Sequence, residues 1–571
     1  MTDQSVEVKK KVLTRELTSY PTGARRTMYL LLVILGSVVL WYQYYVPTSV
    51  ATVVLPQFHM TFKYYVYIIV IANVAGVLAA LLGGLADKFG RANIVIVGLA
   101  VVSAIQTFMI PNATSKTMFA VGIILVGFFE GVVLVATPAL VRDFTPQLGR
   151  ASAMGFWTLG PVAGVLTASL VATHTLAATS TDWQREFLIS GISGIVIFVI
   201  CGLFLRELSP AIRDQLMVSY KDRELVELRA KGIDIKEATK NPWGQMIKPE
   251  ILLSAFAISV MLIIFYTASG FFPVYFTTVF QKNGLNAFSL QQANGIDTWI
   301  WAADCISLVV FGLLSDLLKV RKPFMFLGAI GALGSLGGLI ILTSEPGTGY
   351  YTLVAMTVAL FAFLGMAYSS WMAGFTETVE ARNPALVATG LAIWGGLLRF
   401  IVAASLFVLP FVVSSTNSVV DNQQYAQYAP KALQIEKQYG PLIKIVENNQ
   451  KLFNQLSATS PTNKDYLTLV GQAAKASGGL NNLIKISKIK PQLEYLQTYA
   501  PYLIPLQNGL QESGHQWEDW FWICFGGIVL FIPFIFIMKG RWNPESANRD
   551  AAEHERFIIA ELANFRAANL S

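Results

Sequence analysis

The chain is divided into long apolar blocks, and this division limits what it can fold into more than any other feature. Stretches of about 20 residues without a charged side chain recur along the sequence, and a helix of that length crosses the hydrocarbon core of a bilayer. Only 13% of the 571 residues are Asp, Glu, Lys or Arg, about half the share of a soluble protein. The sequence therefore predicts an all-α polytopic membrane protein.

Twelve blocks are long enough to be transmembrane helices, and they form two sets of six. The predicted spans are 28–55, 65–86, 93–111, 117–141, 152–173, 187–205, 251–280, 293–317, 323–343, 351–376, 385–413 and 519–538. The predicted domains are an N-terminal tail (1–27), an N-terminal six-helix bundle (28–205), a charged linker (206–250), five helices of a C-terminal bundle (251–413), an insert (414–518), the twelfth helix (519–538) and a C-terminal helix (539–571).

The basic residues predict how the chain is oriented. If both termini are cytoplasmic, the short loops on the other side hold only Lys63, Lys116, Arg185 and Lys282 of the 42 Lys and Arg residues. Lys and Arg accumulate in cytoplasmic loops. We therefore expect a multi-pass protein of the plasma (inner) membrane with cytoplasmic N- and C-termini. The net charge of +7 then reflects topology, and we expect no nucleic-acid partner.

Residues 414–518 are predicted to be a helical extracytoplasmic insert between the last two spans. Apolar residues recur there at helical spacing, as at Leu442, Ile445 and Val446. We expect a small folded cap rather than a flexible linker. A cap over the transport path, a binding site for an extracytoplasmic partner, and a passive addition all remain open.

An internal repeat relates the two predicted bundles. Residues 83–92 read GGLADKFGRA, and residues 312–322 read GLLSDLLKVRK. The matching residues are Gly83 with Gly312, Asp87 with Asp316, and Arg91 with Arg321. Each copy lies at the inner end of the second span of its half. A six-plus-six repeat of this kind places a substrate path between two halves.

The first copy of the repeat resembles the motif G-x-L-a-D-[RK]-x-G-R of the major facilitator superfamily. The resemblance covers all twelve spans but not the insert, and Lys319 replaces the motif's glycine in the second copy. It implies two bundles that alternate access to a central path. It also implies a conformational latch, which comprises Gly83, Asp87, Gly90, Arg91, Asp316 and Arg321. The alternative for the motif alone is an ordinary turn between helices.

Three ionisable side chains interrupt predicted spans 4, 8 and 11, namely Glu130, Asp304 and Arg399. Each lies about 18–22 Å of helix from the inner end of its span, so the three share a central layer. Ionisable residues at this depth usually face a cavity and have a function. The sequence therefore predicts a charged site between the two bundles.

The chemistry of these residues suggests how each could act. Arg399 is a permanent cation whose planar fork suits a carboxylate or phosphate, so we expect it to bind an anionic substrate. Removal from water favours the neutral form of a carboxyl, so Glu130 and Asp304 are the expected proton-coupling residues. The alternatives are a structural hydrogen bond for Glu130 and an Asp304–Arg399 ion pair that only joins two helices.

Two short stretches add further resemblances. GFFEG, with Gly127, Glu130 and Gly131, resembles the fourth-span pattern G-G-E-W of metabolite:proton symporters, although its Trp is missing. Residues 155–164, GFWTLGPVAG, resemble a fifth-span motif that is common in antiporters. Glycines that allow close helix packing are the alternative for the second stretch.

Aromatic and amide side chains at the same depth are candidates for substrate contacts. The residues chosen are Tyr42, Gln43, Tyr45, Tyr266 and Tyr368. A tyrosine offers both an apolar ring and a hydroxyl, which suits an organic substrate. Helix packing or an interfacial aromatic belt is the alternative for any one of them.

The sequence predicts a transporter rather than an enzyme. The four histidines lack metal-ligand spacing, and no phosphate-binding loop is present, so we expect neither a metal nor another cofactor. The expected function is secondary symport of a small organic anion with protons across the lipid bilayer. A proton-coupled exporter of drugs or amphiphiles is one alternative. A sensor or scaffold that uses residues 414–518 as its receptor is another.

Overall fold

The structure, a computed structural model, is helical throughout most of the chain. It describes residues 15–17, 19–80, 89–144, 150–176, 182–209, 212, 242–282, 285–383, 386–538, 540–546, 549, 552–553, 556 and 560. Most of the predicted linker and most of the predicted C-terminal helix lie outside the described residues.

The first half of the molecule is built from long helices. They are α1 (Gly23–Gln57), α2 (Phe62–Ala80), α3 (Arg91–Ala104, continued by the π-helical turn Ile105–Met109), α4 (Lys116–Phe144), α5 (Arg150–Thr175) and α6 (Gln184–Phe204). α1 packs against α4, α5 and α6, and α2 packs against α4. The described part of this half is therefore a bundle with α1 at its centre.

The second half repeats this arrangement. It comprises α7 (Pro242–Met246), α8 (Pro249–Met261), α9 (Ile263–Val279), α10 (Leu290–Leu318), α11 (Lys322–Thr343), α12 (Tyr350–Arg382) and α13 (Val387–Val412). α12 packs against α10 and α11. The two halves meet chiefly where α2 packs against α13, α5 against α10, and α1 against α9.

The insert forms a separate group of short helices followed by one long helix. They are α14 (Ser415–Asn422), a 3-10 stretch (Gln423–Tyr428), α15 (Ala429–Asn448), α16 (Gln450–Ala458), α17 (Tyr466–Ala476), α18 (Leu480–Lys488) and α19 (Lys490–Ile537). Val446, Phe453, Ala473 and Ile486 form a small core of their own. The insert therefore has internal packing in addition to its attachment to the bundle.

The last predicted span is the end of α19 rather than a separate helix. α19 has 48 residues and continues through Pro501 and Pro505 without a break at residue 519. A proline inside a helix removes one hydrogen bond and bends the axis, but the neighbouring turns can continue. The part of α19 before residue 519 extends about 44 Å beyond the predicted span. We call the end of the bundle that carries the insert the insert face, and the opposite end the terminal face.

Two small sheets complete the part of the fold that the structure describes. β1 (Glu16–Leu17) pairs in parallel with β2 (Glu207–Leu208), which fastens the N-terminal segment to the end of α6 at the terminal face. β3 (Gln281–Lys282) pairs antiparallel with β4 (Leu285–Asn286) between α9 and α10.

Within the described residues, 11 helical segments are long and apolar enough to cross a membrane. α8 and α9 count as one segment, Pro249–Val279, with a one-residue interruption at Leu262. α5 lies at the predicted fifth span but is not among the 11, so the total of twelve stays a prediction.

Candidate functional site

Glu130 lies in α4 on a surface where α2 and α4 touch backbone to backbone. A side chain added at Gly127 would approach the Ala72 carbonyl oxygen to 2.7 Å, and one added at Gly131 would overlap the backbone of Gly76. The two glycines of GFFEG therefore serve close packing. The Glu130 side chain between them is buried, at 6% exposure.

The Glu130 carboxyl lies in the electrostatic field of Arg399, which comes from α13 in the other half. The two side chains do not form one of the direct ion pairs of the described residues. Glu130 Oε1 is buried and has no hydrogen-bond partner within the described part of the chain. The carboxyl is thus attracted to Arg399 while one of its oxygens stays available to a proton, water or ligand.

Three tyrosines share this field. Tyr44 interacts electrostatically with Glu130, Tyr266 and Arg399, and Tyr45 interacts with Tyr266 and Glu130. We call Tyr44, Tyr45, Glu130, Tyr266 and Arg399 the central cluster. It draws on α1 and α4 from the first half and on α9 and α13 from the second half, so it lies where the halves meet.

Three members of the central cluster are only partly buried. Tyr44, Tyr266 and Arg399 each keep part of their surface accessible. These side chains can therefore contact a small molecule.

Asp304 reaches the central cluster indirectly. It is buried in α10, at 3% exposure, where a side chain added at Gly365 of α12 would meet its Oδ1 at 2.7 Å. Asp304 interacts electrostatically with Tyr368, which in turn interacts with Tyr266. An Asp304–Arg399 ion pair is not present among the described ion pairs. Asp304 thus joins the cluster through a tyrosine of its own half.

The structure places the predicted contacts Tyr42 and Gln43 on another side of α1. Gln43 Nε2 donates to Ser103 Oγ at 3.0 Å and to the Ser190 carbonyl at 3.1 Å, so its amide joins α1 to α3 and α6. Tyr42 interacts electrostatically with Glu186 of α6. Both side chains lie inside the first half rather than in the central cluster.

The cluster residue that sequence reasoning missed is Tyr44. The stretch Trp41–Tyr45 offers three tyrosines in four positions, and helical periodicity places Gln43 about half a turn away from Tyr45. That periodicity separates the faces of α1 but does not say which face meets the second half. The tyrosines were visible in the sequence, but only the packing of α1 shows which of its faces meets the second half.

The latch residues of the first repeat copy are described only in part, because Gly83 and Asp87 lie outside the described residues. Gly90 adopts a φ of +94°, and any side chain there would overlap the Glu207 carboxylate. That carboxylate accepts a hydrogen bond from the Arg91 backbone N–H at 2.7 Å. Arg91 Nη1 also pairs with Asp143 at 3.1 Å.

The second copy forms an analogous arrangement. Arg321 pairs with Asp316 at 2.7 Å and with Glu377 at 2.8 Å. The described ion pairs of Arg91 and Arg321 therefore each lie within one half of the protein, at the terminal face.

Hydrogen bonds do cross between the halves near the insert face. Asn294 Nδ2 donates to the Ser49 carbonyl at 2.9 Å, and Gln291 Nε2 donates to the Thr173 carbonyl at 3.0 Å. The hydroxyls of Thr173 and Thr298 are 3.3 Å apart. We call these five residues of α1, α5 and α10 the insert-side seam. The structure is therefore closed between the halves toward the insert.

α14 also bridges the halves at the insert face. The Lys63 backbone N–H at the start of α2 donates to Asn417 Oδ1 at 3.2 Å, and Trp517 Nε1 of α19 donates to Thr416 Oγ1 at 3.2 Å. A cavity of about 200 Å³ beside this contact is lined by Pro56, His59 and Asp421. Burial raises the pKa of Asp421, while attraction to His59 opposes that rise.

Comparison with known proteins identifies the family. The model of the Major Facilitator Superfamily matches residues 33–407, and the chain belongs to this family. Members of the family are transporters. The chain is therefore a multi-pass membrane transporter and not an enzyme. Among the described residues, no group of three or more His, Cys, Asp and Glu side chains could hold a metal ion.

Two curated relatives are similar in sequence. The D-galactonate transporter of Escherichia coli O6:H1 is 26% identical over 342 residues, which is 56% of this chain and 73% of the relative. The quinolone resistance protein NorB of Staphylococcus aureus is 25% identical over 129 residues, which is 22% of this chain and 27% of that protein.

Solved structures support the fold. A bacterial homologue of the human lysosomal transporter Spinster, inward-facing and unoccupied, aligns with a TM-score of 0.56 at 15% identity, over 92% of this chain and 100% of that chain. A D-xylose-proton symporter aligns with a TM-score of 0.51 at 14% identity, over 67% of this chain and 89% of that chain. At these identities the similarity shows the fold alone.

Proposed function

We propose that the protein is a proton-coupled symporter of a small organic anion. The observation that carries the proposal is the electrostatic link between the halves at the central cluster. Glu130 of the first half and Arg399 of the second lie in one electrostatic field without a direct ion pair. A movement of one half against the other changes that field, so substrate charge and proton binding become linked.

The charges suggest the order of events. With Glu130 ionised, its carboxylate competes with an incoming anion for Arg399. Protonation of Glu130 removes that competition, so the anion can bind Arg399 in the fork geometry that guanidinium groups offer to carboxylates. Release of the proton on the other side restores the competition and expels the anion. Glu130 is the main coupling residue in this scheme, and Asp304 is the second proton carrier.

The cluster also suggests the substrate class. Arg399 would hold a carboxylate, and the hydroxyls of Tyr45, Tyr266 and Tyr368 would bond to hydroxyl groups of the substrate. A small polyhydroxy acid, such as a sugar acid, combines these features. The similarity to a D-galactonate transporter supports this class.

The remaining predicted residues take supporting roles. Gln43 fixes α1 to α3 and α6, and Tyr42 lies near Glu186 inside the first half, which leaves Tyr44 and Tyr45 to face the central cluster. The latch residues act at the terminal face and rearrange when that face closes. They are Gly83, Asp87, Gly90, Arg91, Asp316 and Arg321.

We also propose a location and a role for the insert. In this proposal the protein lies in the plasma (inner) membrane, and the distribution of Lys and Arg supports an orientation with both termini cytoplasmic and residues 414–518 outside. The contacts of α14 with both halves support a role in closing the insert face. Binding of an extracytoplasmic partner is the alternative role for the insert.

Uptake into proteoliposomes tests the proposed function. An inward proton gradient should drive accumulation of D-galactonate, or of another acid in a panel of sugar acids and simple carboxylates, by the wild-type protein. Glu130→Gln should abolish gradient-driven accumulation and keep substrate exchange, because a neutral amide mimics the protonated state. Glu186→Gln is the matched control, since Glu186 is also buried in the first half but lies outside the central cluster. Full gradient-driven accumulation by Glu130→Gln would refute the role of Glu130.

A proton-coupled exporter is the second candidate function. The partial similarity to a quinolone resistance protein favours it. The antiporter-like stretch gives less support, because Gly160 and Gly164 pack closely against Ser37 and Trp41 of α1 and therefore have a structural role. Resistance of expressing cells to a panel of amphiphilic drugs, without acid uptake, would favour export over symport.

A further inference from the structure

We propose that Asp297 of α10 is an additional proton-binding residue that supplies Asp304 from the insert side. This inference rests on the proposed proton-coupled function and extends it to a residue outside the central cluster. Asp297 is almost fully buried, at 1% exposure. Its Oδ1 is buried without a hydrogen-bond partner among the described residues. The neighbouring side chain within its reach is Trp301, one turn further along α10.

The surroundings of Asp297 hold no countercharge. α10 packs against α1, α5, α9 and α12. Their insert-side parts, with that of α10, are residues 45–57, 161–175, 263–279, 350–365 and 290–303, and Asp297 is the only Asp, Glu, Lys or Arg in these ranges. The other ionisable side chains there are Tyr45, His174, Tyr266, Tyr275, Tyr350 and Tyr351. An ionised carboxylate in such surroundings is strongly disfavoured, so Asp297 holds a proton in this conformation.

Asp297 and Asp304 lie on one face of α10. They are seven residues apart, which is about two turns, or roughly 10 Å along the helix axis. Trp301 lies between them on the same face, and its ring centroid is 5.2 Å from that of Phe265 and 5.1 Å from that of Phe361. These three rings form an aromatic barrier between the two carboxyls. In this conformation the barrier separates the Asp297 proton from Asp304.

The position of Asp297 next to the insert-side seam suggests how it gains and loses its proton. Asn294 and Thr298, which flank Asp297, make the bonds to α1 and α5 that close the seam. Opening the seam removes those bonds and admits water to Asp297. The insert-side solution then sets whether Asp297 carries a proton.

Transfer to Asp304 completes the route. The O–H bond of Asp297 breaks and an O–H bond forms on the Asp304 carboxylate, through water molecules that enter when the aromatic barrier moves. No electron transfer or further reactant is required. Asp297 is thus the entry point, and Asp304 receives the proton in the central layer.

The test is the number of protons taken up per D-galactonate molecule in proteoliposomes, or per molecule of whichever panel acid the wild type accumulates. Asp297→Asn should couple one proton fewer, which at a gradient of about one pH unit lowers the maximum accumulation about tenfold. Substrate exchange at equal pH should persist. Asp297→Glu should restore the wild-type proton count, because it restores a titratable carboxyl.

Trp299→Phe is the matched control for a general disturbance of α10. Trp299 lies two residues from Asp297 on the same helix but is exposed, at 56%, and is not part of the aromatic barrier, so the proton count should stay that of the wild type. A wild-type proton count and accumulation in Asp297→Asn would overturn the inference. So would loss of one coupled proton in Trp299→Phe, because a disturbance of α10 that leaves the Asp297 carboxyl in place would then have the same effect.

Infrared spectroscopy of purified protein gives a readout that does not depend on transport. The wild type should show a protonated-carboxyl band that disappears in Asp297→Asn and remains in Asp304→Asn. Absence of such a band would overturn the inference about Asp297 even if coupled uptake is found. A wild type that shows the band but no coupled uptake with any acid would refute the proposed function instead.

Discussion

Glu130 and Asp304 are buried carboxyls of the two halves, but their surroundings differ. Glu130 is carried by a helix that touches its neighbour backbone to backbone, and it lies in the field of Arg399 from the opposite half. Asp304 lies against Gly365 of its own half and contacts the cluster through Tyr368. A relative movement of the halves therefore changes the charge around Glu130 more than the charge around Asp304. This difference is the reason why we propose Glu130 as the coupling residue and Asp304 as a carrier within its half.

Removal of Arg399 should give the largest effect. Arg399→Ala takes away both the anion ligand and the cation near Glu130, so uptake of an acidic substrate should fall about 100-fold. Arg399→Lys keeps the positive charge but loses the planar fork, so uptake should fall less in this variant. Initial uptake rates in proteoliposomes, at equal amounts of folded protein, measure both variants. Equal losses of uptake in the two variants would show that a positive charge at residue 399 contributes nothing without the guanidinium fork.

A double-mutant cycle sharpens the comparison between the two carboxyls. Glu130→Gln and Arg399→Gln should be coupled by at least about 0.5 kcal/mol in apparent substrate affinity, because Arg399→Gln removes the charge whose field acts on Glu130. Asp304→Asn and Arg399→Gln should be close to additive. Binding of D-galactonate, or of the accumulated acid, at several pH values measures both cycles. The reverse pattern would contradict the assignment of Glu130 as the residue that senses the opposite half.

Glycine substitutions test how firmly each carboxyl is held. Gly131→Ala forces a methyl group onto the backbone of Gly76 and should destabilise the protein by about 1–3 kcal/mol. Gly365→Ala meets the side-chain oxygens of Asp304 and Ser307, which can shift, so it should cost less stability but alter proton coupling. Gly334→Ala is the control, since nothing lies within 4 Å of the added atom. Thermal unfolding in detergent compares the three variants, and equal stability of all three would contradict the close α2–α4 contact.

The smallest effect is expected where α14 joins the halves. The pKa of Asp421 is raised in the folded protein, so its contribution to stability is present at acid pH and is lost as pH rises through that raised value. Because Asp421 keeps much of its surface exposed, the effect should be slight. Asp421→Asn should remove this part of the pH dependence of thermal unfolding. An unchanged pH profile would show that Asp421 does not influence docking of the insert.

Much of the fold could be predicted from the sequence. Long uncharged blocks predicted the spanning helices, because the hydrocarbon core offers the backbone no hydrogen-bond partners and a helix satisfies its own backbone groups. The repeat around Asp87 and Asp316 predicted two related halves and the family. The start of the last helix could not be predicted, because a proline marks a bend in a helix as readily as its end, and α19 continues through Pro501 and Pro505.

The candidate site was predicted less completely. The three charges in apolar spans were visible because ionisable groups at membrane depth are rare. Among the polar neighbours, Tyr45, Tyr266 and Tyr368 lie at or beside the central cluster, whereas Gln43 bonds within the first half. Asp297 was not predicted as a site residue because it lies outside the central layer, although it is also an ionisable residue isolated in an apolar stretch.

By itself, the sequence determined that this protein is a membrane-embedded member of the family, and it predicted two six-span halves with charges at a common depth. Those properties follow from hydropathy, spacing and a local motif, which need no knowledge of packing. Only the tertiary structure decided that Glu130 lies in the field of Arg399 from the other half, and that Tyr44 rather than Gln43 belongs to the central cluster. The reason is that a helix fixes the angles between its own side chains, but contacts with other helices decide which of its faces is turned inward.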